Sequence, residues 1–327
     1  MTFSRRSFGT SALALMTGAA ATRPALAQPG YPARQVTVVI PFAAGGATDI
    51  VGRVLAQRLS TTLGQPFVPD NRAGAGGIVG SGLVARARPD GYTLLVSPNS
   101  TYAMAALLYR TPYDNDTAFT PISLLASNCQ AVCVRADSPL RTLADLAAAA
   151  RAEPRKISYG SGGIGVVNHL SAELFAQRSG VEMLHAPYRG GGPAAQAVLT
   201  GEITLSFVDL VTCIPFLRDG AMRALAVTSL ERSPHLPDVP TIAESGLPGY
   251  QVNSDLALFA PAGLQTPILA RLAEATAEAM RSDEVRERLL PLAIEPVGGT
   301  PAEFPAYFAA ETSKWRQVIR ERNITVE

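Results

Sequence analysis

Cysteine, charge and aromatic residues are all scarce in this sequence. Its 327 residues include three cysteines, 17% charged residues and 6% aromatic residues. Cys129 and Cys133 are predicted to lie in one strand, roughly 13 Å apart, which is too far for a disulfide. Three thiols at such spacings also make a poor zinc site, so we expect free cysteines and no metal. A net charge of +1 offers no basic face for nucleic acid, and 47% hydrophobic residues exclude a disordered chain.

The sequence lacks a long apolar run except at its N-terminus, which excludes a polytopic membrane protein. There, Arg5 and Arg6 precede an apolar stretch at 8–21 and the small-residue cleavage motif at 25–27. We predict a signal peptide at 1–27 and export to the periplasm by the general or the twin-arginine route. Cleavage removes three arginines and leaves 25 basic against 27 acidic residues, a formal charge of −2. Overall charge therefore will not attract an anionic ligand.

Enzymatic signatures are also missing. The sequence contains no Gly-x-Ser-x-Gly elbow, no phosphate-binding P-loop and no His-Glu-x-x-His motif, and it has three histidines in all. We therefore predict a protein that is not an enzyme, with no catalytic residue and no cofactor.

Apolar strand patterns alternate with helical patterns along the mature chain, which predicts an α/β fold with parallel strands and crossover helices. We expect two α/β lobes with an interdomain cleft: 28–128 plus 251–327 form lobe 1, and 129–250 form lobe 2. The predicted strands are 35–40, 67–68, 92–96, 130–134, 157–159, 183–186, 205–208, 224–227 and 256–260, and the predicted helices are 50–63, 80–86, 142–152, 166–178, 193–200, 267–280 and 301–321.

A glycine-rich loop at 41–49 follows the first strand. Its glycines allow a tight turn and the close approach of a ligand, and the amide groups at the start of the next helix point into the turn. Such an arrangement can bind an anion. Thr48 could add a hydroxyl donor. Alternatively, the segment is an ordinary turn in which Asp49 caps the helix.

A second glycine-rich loop repeats this pattern at 158–165, with the hydroxyl of Ser161 in the loop and His169 in the first turn of the following helix. Gly160, Gly162 and Gly165 match the Gly-x-Gly-x-x-Gly spacing of dinucleotide sites. An exported nucleotide-dependent oxidoreductase that uses residues 160–165 is therefore the alternative function.

Further candidates follow other predicted strands. Arg189 could pair with a carboxylate or could be a solvated surface residue. Asp209 could accept a hydrogen bond from a ligand amine or hydroxyl, or it could cap a helix. Asn99, Ser100 and Tyr102 could line the same cleft, because parallel strands bring their carboxyl ends to one edge of a sheet.

Six motifs, in order along the chain, resemble the Bug family, the extracytoplasmic solute receptors of tripartite tricarboxylate transporters. The motifs lie at 41–49, 71–77, 89–95, 159–165 with His169 and Leu170, 187–190 with Pro193 and Ala194, and 236–246.

The resemblance implies the fold of a type II periplasmic binding protein, with two lobes and a hinge, in which two loops hold a ligand carboxylate. It also implies a small carboxylate solute and permease subunits as partners, and we expect a monomer that binds no nucleic acid. One departure is the segment 254–257, where the family usually has an aromatic residue. The residues that the resemblance assigns to the ligand site are Phe42, Ala47, Thr48 and Asp49 in the first loop, Ser161, Gly162, Gly165 and His169 in the second, and Asp209 as a residue that tunes specificity.

Overall fold

A computed structural model describes residues 30–326, and from Tyr31 onward the chain forms one compact unit. The predicted signal peptide and its cleavage site lie outside the described residues. Within the part described, no helix has the length and apolarity needed to cross a membrane. The three cysteines are free, as predicted, and Cys129 is half-buried.

Strands and helices alternate along the described chain. The strands are β1 (Val36–Ile40), β2 (Phe67–Asn71), β3 (Thr93–Pro98), β4 (Phe119–Arg135), β5 (Ser158–Ser161), β6 (Leu184–Pro187), β7 (Leu205–Asp209), β8 (Met222–Val227), β9 (Asn253–Pro261) and β10 (Glu295–Pro296). The helices are α1 (Ala47–Leu63), α2 (Ile78–Ala85), α3 (Ala106–Leu108), α4 (Leu143–Ala152), α5 (Val167–Ser179), α6 (Gly191–Thr200), α7 (Leu210–Arg218), α8 (Thr266–Arg281), α9 (Asp283–Leu289) and α10 (Phe304–Glu321).

The strands form a sheet in the order β2-β1-β3-β9-β4-β7-β5-β6, with β8 and β10 also paired to β4. Strand β1 is parallel to β2 and β3, and β5 is parallel to β6 and β7. In contrast, β4 and β9 are antiparallel to each other and to their other neighbours. The α/β class is confirmed, but the prediction of parallel strands throughout is wrong for the centre of the sheet.

Strand β4 runs through both halves of the sheet. Its residues 119–129 pair with β9, and residues 130–135 pair with β7 and β8. Sequence analysis predicted only 130–134 as strand, because Pro121 and several polar residues interrupt the apolar pattern upstream. Pro121 lies beside an irregularity in the pairing with β9, where a residue without an amide hydrogen is tolerated.

Helices α1 and α5 pack on the same face of this sheet. In the first half, Leu256 and Leu258 of β9 share an apolar cluster with α1 and α8. In the second half, Val132 and Val134 of β4 pack with α5, whereas Ala131 and Cys133 pack with α6 and α7 on the opposite face. Successive residues of a strand point to opposite faces of the sheet. Asn128 of β4 pairs with Ser254 of β9, so these two residues share a face, and the strand residues at even spacing from each of them lie on that same face. The loops that lead into α1 and α5 therefore open on one side of the sheet.

Helix α10 contacts both halves of the sheet. Near its start, Phe304 packs in an aromatic cluster with Phe259 of β9, and the Tyr307 hydroxyl donates to Asp255 Oδ2 at 2.6 Å. Just after its end, Arg322 Nε donates to Glu173 Oε2 of α5 at 2.6 Å. The helix thus forms a connection between the halves in addition to the strands.

Two predicted helix boundaries are confirmed by their capping geometry. Gly64 ends α1 with a φ of 70°, in the left-handed region that favours glycine. Thr142 precedes α4, where its Oγ1 accepts from the Asp145 amide at 3.1 Å and the Asp145 carboxylate accepts from the Thr142 amide at 2.9 Å. This reciprocal pair satisfies two amides at the start of the helix.

We expect the substitution Thr142→Ala to lower the free energy of unfolding by about 1 kcal/mol, because the helix loses its capping acceptor. Urea denaturation measures the loss. The control is Thr61→Ala within α1, where the hydroxyl bonds to the carbonyl of Gln57 and caps nothing. Equal losses in the two variants would contradict the capping role.

Candidate functional site

The first glycine-rich loop connects β1 to α1. Gly45 has a φ of 96°, so the tight turn requires glycine there. Helix α1 begins at Ala47, earlier than the predicted residue 50, and no side chain caps it. The amides of Ala47 and Thr48 have no hydrogen-bond acceptor among residues 30–326. These two groups and the positive end of the helix dipole are available to an anion.

Asp49 holds the first loop in place. Its buried carboxylate accepts from the Gly45 amide at 3.0 Å, from Arg53 Nε at 2.9 Å and from Asn71 Nδ2 at 2.9 Å. Burial alone would raise the pKa of Asp49, but these hydrogen bonds outweigh it and lower the pKa below its usual value. The carboxylate is thus placed to organise the loop through contacts within the protein.

Asn71 also fixes the position of Phe42, because its Nδ2 donates to the Phe42 carbonyl at 3.0 Å. The Phe42 ring lies against Gly77, where an added Cβ would come within 3.2 Å of the ring and 2.6 Å of Thr101 Oγ1. Sequence analysis did not single out Asn71 as a site residue. Its place at the start of the motif at 71–77 was the available signal.

The second glycine-rich loop uses several of its own amides. The Gly162 amide donates to Asn168 Oδ1 at 3.1 Å, and the Gly165 amide donates to His169 Nδ1 at 3.0 Å. These amides are therefore not free, which differs from the expectation that the loop presents unpaired amides. The side chains of Asn168 and His169 shape the loop, and the amides of the first turn of α5 remain available to a ligand.

The hydroxyl of Ser161 also belongs to this internal network. It is fully buried, donates to the Gly163 carbonyl at 2.9 Å and lies 2.6 Å from His185 Nε2. His185 was not a predicted site residue, because it reads simply as part of a strand.

His169 and His185 stack beneath the second loop with their ring centroids 4.0 Å apart. Burial, together with the neighbouring His185, lowers the pKa of His169 to about 3. Burial also lowers the pKa of His185 to about 4, although Glu173 opposes the change. Both rings are neutral at pH 7, so they contribute no cation to the loop.

The glycines of the second loop are required for packing. A Cβ at Gly162 would lie 3.2 Å from backbone atoms of Gly190 and Gly191. Gly165 has a φ of 77°, and a Cβ there would come within 2.3 Å of Leu108 Cδ1. A bulky residue at position 162 would therefore press on the neighbouring loop rather than simply block a ligand.

The segment 99–109 contacts both loop regions. Tyr109 donates from its hydroxyl to the Ile164 carbonyl of the second loop at 3.1 Å. Thr101 donates to the Gly76 carbonyl at 2.9 Å and lies beside Gly77, against which the Phe42 ring packs. One short segment therefore links the surroundings of the two loops.

Arg189 lies at the exposed end of a third loop. The next residue, Gly190, donates its amide to the Gly162 carbonyl at 3.2 Å, so Arg189 is close to the second loop along the chain. Within the described residues, no ion pair occupies the guanidinium. Helix α6 begins at Gly191, two residues before the predicted Pro193.

Asp209 ends β7 and precedes α7, but its side chain does not cap that helix. Its Oδ1 accepts from Ser254 Oγ at 2.6 Å and from Gln130 Nε2 at 3.3 Å. Burial raises the pKa of Asp209, and these two hydrogen bonds oppose the change. Because β9 and β7 flank β4, the hydrogen bond between Ser254 and Asp209 spans strand β4.

These residues belong to a set of polar side chains on the adjacent strands β9, β4 and β7 and at the end of β3. We call the set the central polar group; it consists of Asn99, Asn128, Gln130, Asp209 and Ser254. Sequence analysis singled out Asn99 and Asp209 but missed Asn128 and Gln130. The signal for the latter two was that they are polar residues at or just before the start of a strand predicted from its apolar pattern.

The fold and its two loops place the protein in the periplasmic-binding-protein class. Residues 51–324 match the tripartite tricarboxylate transporter family receptor profile, and the chain belongs to this family of solute receptors. The structure of an R. palustris protein, Rpa4515 with adipate, has a TM-score of 0.83 and 38% identity, covering 90% of this chain and 99% of that one.

Two further solved structures are similar over nearly their whole length. The periplasmic binding protein BugD has a TM-score of 0.79 and 34% identity, covering 90% of this chain and 99% of BugD. MatC from Rhodopseudomonas palustris with bound malate has a TM-score of 0.78 and 36% identity, covering 88% of this chain and 100% of MatC. The predicted resemblance to the Bug family is confirmed.

Acidification is expected to destabilise the protein through His169. Its pKa is about 3 in the folded state, against about 6.5 for an unperturbed histidine, so the unfolded state binds the proton first. The contribution of His169 to the free energy of unfolding is complete above about pH 6.5 and decreases as the pH falls towards the folded-state pKa. By pH 5 the free energy of unfolding should be lower by about 2 kcal/mol.

Urea denaturation at pH 7 and pH 5 measures this loss. In His169→Asn, the side-chain oxygen can still accept from the Gly165 amide, and the pH dependence should be smaller than in the wild type. The control His235→Asn, in the segment between β8 and β9, should keep the wild-type pH dependence. An unchanged dependence in His169→Asn would contradict the assignment to His169.

Proposed function

We propose that this protein captures a small carboxylate-containing solute in a cleft between two lobes and delivers it to the permease subunits of a tripartite tricarboxylate-type transporter. The ligand carboxylate binds at the starts of α1 and α5. The observation that carries the proposal is that both helices lie on one face of the sheet, each preceded by a glycine-rich loop.

The site we propose is built from residues named by sequence analysis, some in contact with the ligand and others supporting the loops. The backbone at Ala47 and Thr48 and the first turn of α5 bind the carboxylate, with Phe42 forming a wall. Asp49, Ser161, Gly162, Gly165 and His169 hold the two loops in shape, as their hydrogen bonds and packing suggest. Arg189 contributes a positive charge at the rim.

The change of partners along β4 supports the division into lobes at 128/129 and 250/251. Cys129 is the last residue of β4 that pairs with β9, and Gln130 is the first that pairs with β7. We propose that the two lobes rotate about these crossing strands. A ligand that contacts both lobes favours the closed arrangement.

Bound adipate and malate in the two similar structures support a carboxylate ligand here. A signal peptide at 1–27 and a periplasmic location fit the same role. The nucleotide-dependent alternative has less support, because Glu182, near the position of the ribose-binding acid, pairs with Arg322 at 2.9 Å.

A thermal-shift panel tests the proposed function. Mono-, di- and tricarboxylates, amino acids and NAD are each added to the mature protein at pH 7.5. At a hundred times its dissociation constant, a ligand should stabilise the folded state by about 2.7 kcal/mol. Stabilisation by at least one carboxylate is expected. Stabilisation by NAD and by no carboxylate would contradict the proposal.

The substitution Gly46→Leu is expected to weaken carboxylate binding at least tenfold without unfolding the protein. Gly46 has a φ of −84°, which leucine tolerates, and a Cβ there has no atom within 4 Å. The side chain would extend from the start of α1, where the carboxylate binds. Calorimetric titration measures the affinity, with the best ligand from the panel.

The control is Ala144→Leu, at an exposed position in the first turn of α4. Helix α4 follows the carboxyl end of β4, which is antiparallel to β7 and therefore ends at the sheet edge away from the second loop, so this variant should bind within about twofold of the wild type. Normal binding by Gly46→Leu would place the carboxylate elsewhere.

A further inference from the structure

We infer that the central polar group binds the end of the ligand remote from its carboxylate and selects a hydrogen-bond donor there, such as a hydroxyl, carboxamide or ammonium group, over a second carboxylate. The inference rests on the proposed function, because it assigns the other end of the same bound solute.

The central polar group lies between the two proposed carboxylate-binding loops. Strand β3, which ends just before Asn99, is parallel to β1, and β1 leads into the first loop. Strand β7, which ends at Asp209, is parallel to β5, and β5 leads into the second loop. Since the carboxyl ends of parallel strands meet at one edge, the group is adjacent to both loops.

Several buried atoms in this group have no hydrogen-bond partner among residues 30–326. They are Oε1 of Gln130, Oδ1 of Asn99 and both amide atoms of Asn128. The three side chains are 0%, 0% and 2% exposed, respectively. Buried polar groups without partners are rare and costly, and a bound ligand is one way to satisfy them.

The unpartnered atoms are mainly acceptors. Asn99 Nδ2 donates to the Asn253 carbonyl at 2.8 Å, and Gln130 Nε2 donates to Asp209 Oδ1. The Asn253 carbonyl and the Asp209 carboxylate are the acceptors in these bonds, so the nitrogen of each amide faces its partner and the oxygen is the free atom. Asp209 Oδ2 likewise has no partner in the described structure. A ligand that complements these oxygens must donate hydrogen bonds.

No cation in the described structure compensates for a second carboxylate at the central polar group. Arg53 is engaged by Asp49 and Asn71. Arg189 is exposed and follows β6. Two strands, β7 and β5, lie between β6 and β4 in the sheet, so Arg189 is remote from the residues of β4. A second ligand carboxylate would therefore face the Asp209 carboxylate without a counter-charge, which is unfavourable at this half-buried position.

Ligands of matched length provide the test. Calorimetric titration at pH 8 compares adipate with 6-hydroxyhexanoate, 6-aminohexanoate and adipamate. It also compares succinate with 4-hydroxybutanoate, 4-aminobutanoate and succinamate. At the better-bound length, at least one donor-ended acid is expected to bind ten times more tightly than the dicarboxylate, because a mismatched polar end leaves buried groups unpaired.

The outcomes separate this inference from the proposed function. Equal or tighter binding of the dicarboxylate at both lengths would overturn the inference and leave the carboxylate receptor intact. Failure of every acid in this series and in the thermal-shift panel would overturn both. These measurements use the wild-type protein and depend on no variant.

A pair of variants then tests the role of Asp209. Asp209→Asn supplies an amide that can donate to a carboxylate, so the preference for the donor-ended acid should fall at least tenfold. The control is Asp255→Asn, whose carboxylate lies on the opposite face and binds Ser127 and Tyr307. That variant should retain the wild-type ratio of affinities. A wild-type ratio in Asp209→Asn would contradict the selection by this residue.

Discussion

The course of strand β4 is the constraint on which the rest of the structure depends. It continues without a break from its pairing with β9 into its pairing with β7 and β8. The side-chain alternation of one strand therefore sets the face in both halves of the sheet. That shared alternation puts α1 and α5 on one side, and it brings Asn128 and Gln130 between the ends of β3 and β7.

Local patterns in the sequence predicted most of the outer strands and helices, because each is short and has its own turn signals. The capping pair at Thr142 and the glycine at Gly64 are encoded within a few residues. The long pairing of β4 with β9 could not be predicted in this way, since it joins segments more than a hundred residues apart. Pro121 and the polar residues of β4 also conceal the strand, although they become explicable once its partner is known.

The candidate site was predictable to a similar degree. Glycine spacing located both loops, but it could not show which of their amides find acceptors within the protein. Asn168 and His169 answer that question through hydrogen bonds to Gly162 and Gly165. The result is a loop whose shape is fixed by neutral side chains. In the proposed site, the attraction for an anion comes from helix amides and their aligned dipoles, with little help from formal charge.

Helix α10 limits the ways in which the two halves of the sheet can move. Tyr307 attaches it to Asp255 in β9, and Arg322 attaches the chain just beyond it to Glu173 in α5. A helix is stiff along its axis, so a rotation that separates these anchor points must break one of the two contacts or bend the helix. If the proposed lobe rotation separates these two anchor points, opening must break specific bonds of the Tyr307 or Arg322 side chain as well as ligand contacts.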